Sequence, residues 1–433
     1  MVDFPTDNHG WSELLPPRLV VDSIQGAHRV PWVIVGAGLT GLSCARRLAE
    51  LYPNDEVLLL DARLIGQGAS GRNSGFAVGV SHFPGPYKIQ DKENIDRVNR
   101  INQAGLALLD QQITSQSIHC QWDNNGFHHG AADSKSIKEH SHFVNYLDAI
   151  EAEHNSLNED DMKSRFGTSL YKAGVHVKTG ALVQPAALVR GLANNIPSNV
   201  RLIENCPVLK IKSGRTIKIT TSSGEITTDK LVLATNYEAP KIGFLKRRVL
   251  GSTLSGSFTR ILTPQELATL GSHESWGIIS LHSGGATLRL TSDGRISLRN
   301  TAEYNGGALL SPQALKRRQI THRNSFEKRF PQLAEVPFEF AWSGVEGISR
   351  NDTNFFGQQS KNIFLAGGYN GSGVSRGTAF GYALAEYAGG GQSELITDCL
   401  RSKAATWLPP RPFLDLGAML KIKSRFQGAG LDR

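Results

Sequence analysis

Cysteine is scarce in this chain: 433 residues contain four, Cys44, Cys120, Cys206 and Cys399. None stands in paired or metal-ligand spacing. That argues against a disulfide framework and a thiolate metal site, and it fits reduced thiols in a cytoplasmic protein. No uninterrupted apolar run is long enough to cross a bilayer. The opening MVDFPTDNHGWSELLPPR has neither a basic start nor an apolar core, so it does not read as a secretory signal. The histidines at 119, 128, 129, 140, 142 and 154 form no H-E-x-x-H pattern, and they read as surface or packing residues rather than metal ligands. Negative charge is in modest deficit, giving a net +8. The basic runs Lys246-Arg247-Arg248, Lys316-Arg317-Arg318 and residues 421–425 lack the interleaved aromatics of a single-strand nucleic-acid surface. No internal repeat is present. The length exceeds one ordinary core, so two interleaved domains are expected.

What the chain does carry is concentrated in VIVGAGLTGLSCARRLAE, residues 33–50. The apolar run Val33-Ile34-Val35 reads as a buried parallel strand. Gly36, Gly38 and Gly41 follow in the spacing G-x-G-x-x-G, and Leu42, Ala45, Leu48 and Ala49 then share one face of a helix. Gly36 permits the tight turn, Gly38 lets the backbone approach a pyrophosphate, and Gly41 lets helix and strand pack closely. A second apolar strand, 57–60, ends at Asp61, twenty residues past Gly41, where an acid meets a ribose hydroxyl. Strand, glycines, helix, second strand and terminal acid together point to a dinucleotide site. The segment ARLIGQGASGRNSGFAVG, residues 62–79, supplies closely spaced backbone donors that suit a flat polar ligand.

Residues 1–30 are polar and proline-containing and are expected to form a surface arm. Residues 91–165 read as largely helical. Residues 173–211 read as a strand, a turn at Pro185, a helix through Leu188 and Leu192, then further strands. The stretch 215–236 reads as a hairpin and a buried strand at 231–233 that returns to the first sheet, ending in Ala234-Thr235-Asn236. Residues 245–305 alternate as a second, antiparallel sheet with a turn at Ser292-Asp293-Gly294. Residues 311–333 read as a helix with Arg and Lys outward. NIFLAGGYNGSGVSRGTAFGYALAEYAGG, residues 362–390, repeats the theme of a strand delivering glycines to a helix N-terminus, which suits an anionic or electron-rich ligand edge. The tail has a proline break and a short basic amphipathic segment, able to touch a membrane or to pack on the parent domain.

Two glycine turns at opposite ends of one chain, with a strand-rich block between, resemble the D-amino-acid oxidase/glycine oxidase/sarcosine oxidase family of flavoenzymes. Within it the likeness is nearest to bacterial oxidases of the γ-glutamylputrescine and L-pipecolate oxidase type. VIVGAGLTGLSCARRLAE, GQGASGRNSG, LVLATN and FLAGGYNGSGVSRGTAFG carry the resemblance, which covers roughly residues 30–390. It implies an α/β fold in which a Rossmann-like FAD-binding domain (30–90, 170–240 and 340–395) interleaves with an antiparallel-sheet substrate domain (91–169 and 241–339, with a helical insert), followed by a basic tail at 396–433.

The resemblance further implies FAD. Gly36, Gly38, Leu39, Thr40 and Gly41 would cradle the pyrophosphate. Asp61, with Ala62 and Arg63, would take the adenosine ribose. Gly68, Ala69, Ser70, Arg72 and Asn73 would run beside the pyrophosphate and the ring system. Val208 would contact the adenine side, Thr235 would join the site, and Gly368, Gly371, Gly373, Val374 and Ser375 would face the pyrimidine edge. Arg289 is the candidate for a substrate carboxylate, with Tyr304 and Tyr369 as pocket wall. No Cys or His stands where covalently flavinylated relatives attach the ring, so FAD is expected to be non-covalent. The implied chemistry is oxidation of the C–N bond of an amine or amino acid to an imine, with O2 or another electron acceptor and release of H2O2. No metal is expected. Two alternatives stand: a dehydrogenase feeding a membrane acceptor, with the tail as peripheral contact, and a tRNA-modifying flavin enzyme, although no nucleic-acid partner is expected. Ser372, and the FFG at 355–357, depart from the family pattern and bear on the pocket.

Overall fold

The computed structural model describes residues 9–20, 22–271, 274–282 and 284–432. Gly26–Val35 pairs in parallel with Val57–Leu60 on one side and with Gly224–Leu233 on the other. Val200–Ile203 extends the sheet beyond Val57–Leu60, and Ile363–Gly367 extends it beyond Gly224–Leu233. The central strands are buried on both faces, which is why they read as unbroken Val/Leu/Ile runs. Helix Leu39–Leu51 starts directly at the end of the first strand, with Gly38 as its N-cap. Helix Gly373–Ala388 starts the same way after the last parallel strand.

These two helices pack against each other through small residues. A Cβ at Gly381 would overlap the carbonyl oxygen of Thr40, and Ser43 Oγ donates to the carbonyl of Thr378 at 2.8 Å. Helix Lys92–Ser115 closes on the same helix, where a Cβ at Gly105 would overlap the carbonyl of Ser375. Glycines far apart in sequence thus let three helices share one close-packed layer over the parallel sheet.

The second sheet runs in the order Phe338–Ile348, Leu250–Thr259, Ile296–Glu303, Thr287–Leu290, Trp276–Ser280, Phe127–Ala131, Ala173–Val177, His154–Asn158. Its pairings are antiparallel except that Trp276–Ser280 runs parallel to Phe127–Ala131. Asp293-Gly294 forms the expected turn, with Gly294 at φ +82°.

Several expectations change. Of the surface arm, residues 1–8 lie outside the described residues, but Gly10–Glu13 is a buried helical turn. Trp11 is fully buried, its ring 4.5 Å from Phe258, and the strand already begins at Gly26. Its aromatic surface outweighs the polar flanks. Phe127–Ala131 and His154–Asn158 are strands inside the stretch read as largely helical. Ala173–Val177 and Phe338–Ile348 belong to the second sheet, not with the dinucleotide half, because their partners lie there. Pro185 opens helix Pro185–Asn194 at its first turn, where its missing N–H costs nothing. Arg329 turns inward from helix Pro312–Arg329 to a buried pair with Asp432 near the chain end. The tail therefore packs at its end, while Phe413, Leu416, Met419 and Leu420 of helix Phe413–Gln427 remain exposed.

Candidate functional site

A cavity of about 860 Å³ separates the ends of the parallel strands from the second sheet. That volume lies in the upper part of the range usual for ligand sites, roughly 300–1,000 Å³. One wall is made by residues 36–40, 61–64, 68–70, 72–74, 234–238 and 369–374. It is mostly backbone. Gly36 sits at φ +99°, and a Cβ at Gly41 would overlap its carbonyl oxygen, so helix and turn meet only through glycine. Thr40 Oγ1 and the Tyr369 hydroxyl lie 2.7 Å apart and tie the first glycine turn to the last across 329 residues. Asn236, in the left-handed region at φ +47°, accepts from the Gly368 N–H at 2.8 Å and adds a second tie.

Asp61 accepts from the Ala37 N–H at 2.8 Å and from the Arg63 N–H at 2.9 Å. Burial, against those two bonds, pushes its carboxyl up to about 6. Arg63 pairs with Glu238 at 2.6 Å. Arg72 is a brace: its guanidinium donates to the carbonyl of Gln67 at 2.8 Å and to that of Ser343 at 3.0 Å, locking the glycine loop to the second sheet. Asn73 folds back on the Ser70 carbonyl at 2.7 Å. His9, missed by the sequence reading, reaches the Gly66 carbonyl of the same loop at 2.9 Å.

The cavity brings together Gly36, Gly38, Leu39, Thr40, Asp61, Ala62, Arg63, Gly68, Ala69, Ser70, Arg72, Asn73, Val208, Thr235, Tyr369, Gly371, Gly373 and Val374. Gly41 and Gly368 do not line it: Gly41 packs on the Gly36 carbonyl and Gly368 on the Phe355 ring. The set fits a dinucleotide. Two helix N-termini and their glycine turns open onto the cavity, an acid stands at the end of the second strand, and Thr235 Oγ1 is buried without a hydrogen-bond partner among the described residues.

Three candidates lie elsewhere. Arg289 is 1% exposed; its guanidinium bonds to the carbonyl of Val183 and lies 5.3 Å from the Trp11 ring, so it braces the sheet from within and does not line the cavity. Burial lowers it to about 10. Tyr304 lies beyond the end of its strand, beside the tail, and bonds to Arg411 at 3.2 Å. Ser375 is buried and does not line the cavity, and its backbone carbonyl packs against Gly105 of helix Lys92–Ser115.

The opposite wall was largely missed. It includes residues 254–256 and 279–282, Thr287, Ser297, Arg299 and Trp342, with Phe127 and His129. Arg299 reaches the cavity from the strand beside Arg289 and bonds to Thr287 Oγ1. His128 and His129 are buried, not surface, residues. Alternation along Phe127–Ala131 sends His128 to the Phe166 side and His129 to the cavity, a signal readable only once that segment is taken as a strand. Burial lowers His128 to about 2 and His129 to about 3.

The chain is 27% identical over 401 residues to a probable oxidoreductase OrdL of Rhizobium meliloti, covering 89% of this chain and 90% of that one. It is 25% identical over 413 residues to the gamma-glutamylputrescine oxidoreductase of Escherichia coli, covering 92% and 90%. The fold matches that of glycine oxidase from Geobacillus kaustophilus with a TM-score of 0.72 at 16% identity, over 85% of this chain and 96% of that one. The description of the DAO family, FAD dependent oxidoreductase, fits residues 31–387, and the chain belongs to that family.

Proposed function

We propose that this protein oxidises the C–N bond of a primary or secondary amine or amino acid to an imine, with FAD held non-covalently and O2 as the acceptor, releasing H2O2. The observation that carries the reading is the Thr40–Tyr369 contact, which joins two glycine turns on one wall of a cavity whose other wall bears polar side chains. The E. coli relative's name, gamma-glutamylputrescine oxidoreductase, supports an amine substrate. FAD bound here supplies a two-electron acceptor for hydride from the carbon beside nitrogen.

The chain's own residues have separable tasks. The N-terminus of helix Leu39–Leu51, opening at Gly38, holds pyrophosphate charge, and Asp61 holds ribose hydroxyls. The N-terminus of helix Gly373–Ala388, through Gly371, Gly373 and Val374, stabilises negative charge on the facing ligand edge. Arg299 replaces Arg289 as the carboxylate-binding candidate, because it is the one of the two that lines the cavity. Phe127, Ile279 and Leu281 exclude water from the reacting carbon. The cavity-lining cysteine among the described residues, Cys206, donates its backbone N–H to the Asp61 carbonyl at 2.8 Å, at the ribose end, which supports a non-covalent ring.

A second reading is a dehydrogenase passing electrons to a membrane acceptor in place of O2. It is favoured by the exposed Phe413, Leu416, Met419 and Leu420 on a helix that also carries Lys421 and Lys423. No helix among the described residues is long and apolar enough to cross a membrane; a cytoplasmic location fits either reading. The test is an anaerobic panel of amines and amino acids, following flavin absorbance. Bleaching by an amine, with colour and peroxide returning on admission of air, is expected. Bleaching without reoxidation by air favours the dehydrogenase, and no bleaching by any member rejects both.

A further inference from the structure

Strand pairing aligns Arg299 with Thr287, Thr287 with Ile279, and Ile279 with His129. All four line the cavity, so they form one row across four adjacent strands. The row spans three strand spacings, about 14 Å between its end backbones. It is polar at one end, through Arg299 and Thr287, apolar at Ile279, and polar again at His129.

The His129 end is built for a ligand. His129 is 4% exposed, yet neither ring nitrogen has a hydrogen-bond partner among the described residues. Its ring is fixed by Phe143 at 4.8 Å and Phe127 at 5.6 Å. His82 lies 6.0 Å away, centroid to centroid, and bonds to Glu139 Oε1 at 2.9 Å. Glu139 also accepts from the Gly85 N–H at 2.8 Å. Both His82 and Glu139 line the cavity. A buried imidazole left unpaired costs free energy unless something in the cavity completes it. A neutral ring offers one acceptor nitrogen, and beside it stands a carboxylate with remaining acceptor capacity.

We propose that His129, with the His82–Glu139 pair, binds the remote end of an elongated substrate, and that this end carries a hydrogen-bond-donating cationic group. The substrate class is then a diamine or an amine of similar reach, rather than a compact amino acid. The inference rests on the amine reading above and deepens it. Lys135, exposed at the same end of the cavity, carries the opposite preference, so an acid must be among the probes.

The holoenzyme is titrated with a homologous series of α,ω-diamines, the matching alkyl monoamines and the matching ω-amino acids. Binding is read by perturbation of the flavin spectrum and by thermal shift, whether or not turnover follows. Diamines are expected to bind about tenfold or more tightly than monoamines of equal length, the effect of one hydrogen bond to a charged group. His129→Phe and Glu139→Gln are each expected to abolish that preference, with FAD content unchanged. His129→Gln, which keeps an acceptor, retains part of it and guards against a packing effect of the larger change. Equal binding of diamines and monoamines, a preference for ω-amino acids, or a preference that survives both substitutions overturns the proposal. Failure of every amine to bleach the flavin rejects the amine reading, while the binding preference is still measured.

Discussion

The two walls of the cavity are made by different means. The glycine-turn wall is backbone: its shape is set by where a Cβ cannot go and by helix N-termini, and its residues come from a few short contiguous motifs. The sheet wall is side chain: Phe127, His129, Ile279, Thr287 and Arg299 arrive from four strands spread over 170 residues of sequence, and only strand register puts them in contact. The first wall suits a cofactor whose dimensions do not vary. The second can be rewritten residue by residue without disturbing it, which is how one fold serves many substrates.

Acid should have the largest effect, and it acts through the second sheet and helix Pro312–Arg329 packed on it, where His322 bonds to Ser257 Oγ at 2.8 Å. His128, His129 and His322 are held below the ordinary imidazole value of 6.5, at about 2, 3 and 4, with burial the first cause in each. They are neutral in the fold and protonate when it unfolds. Their contribution is present above pH 6.5 and lost as pH falls toward the folded values, by about 1.4 kcal/mol per residue per pH unit. At pH 5 that is about 2 kcal/mol each. Asp61 has the opposite sign: its folded value is raised, so its contribution is present below 3.8 and lost as pH rises through about 6. Chemical unfolding of wild type and His128→Phe between pH 7.5 and 5 checks this; an equal pH slope in both would remove His128 from the account.

Gly41→Val should be next in size. The added side chain meets the Gly36 carbonyl, costing about 1–3 kcal/mol and separating turn from helix. The protein should purify with its flavin-to-protein absorbance ratio lowered about tenfold. Full flavin content would show that the backbone wall tolerates what its geometry forbids.

The paired arginines sharpen the contrast within one sheet. Arg289→Ala removes the donor to the buried Val183 carbonyl and should lower stability by about 2–3 kcal/mol, with KM unchanged. Arg299→Ala should raise KM for a carboxylated substrate about tenfold with flavin content unchanged. Steady-state kinetics and thermal melts of both variants decide between these roles, and exchanged outcomes would restore Arg289 to the pocket. The smallest effect belongs to Tyr369→Phe, which leaves the Thr40 hydroxyl without its partner and should cost about 1 kcal/mol of stability.

Legibility followed the same division. The place of Gly36, Gly38 and Asp61 on the cavity wall was readable because a strand–turn–helix device is local and its parts lie close in sequence. Arg289 was a reasonable choice, but it does not line the cavity. It stands one strand-step from Thr287 on the same face, but the N-terminal Trp11 and the Val183 carbonyl close over it, and neither is near it in the chain. His129 was passed over because Phe127–Ala131 lies between helices and its alternation is too short to announce a strand. Arg329 sits at the end of an otherwise basic, outward-facing helix, and its buried partner Asp432 comes from the far end of the chain.

By itself, then, the sequence determined the parallel-sheet half: strands, glycine turns, helices and terminal acid are dictated by local sterics. Only the tertiary structure decided that Arg299 rather than Arg289, and His129 rather than His128, reaches the cavity, and how the residues near 11 and 432 brace the sheet. Those outcomes depend on register and on burial by residues hundreds of positions away, and no local propensity encodes either.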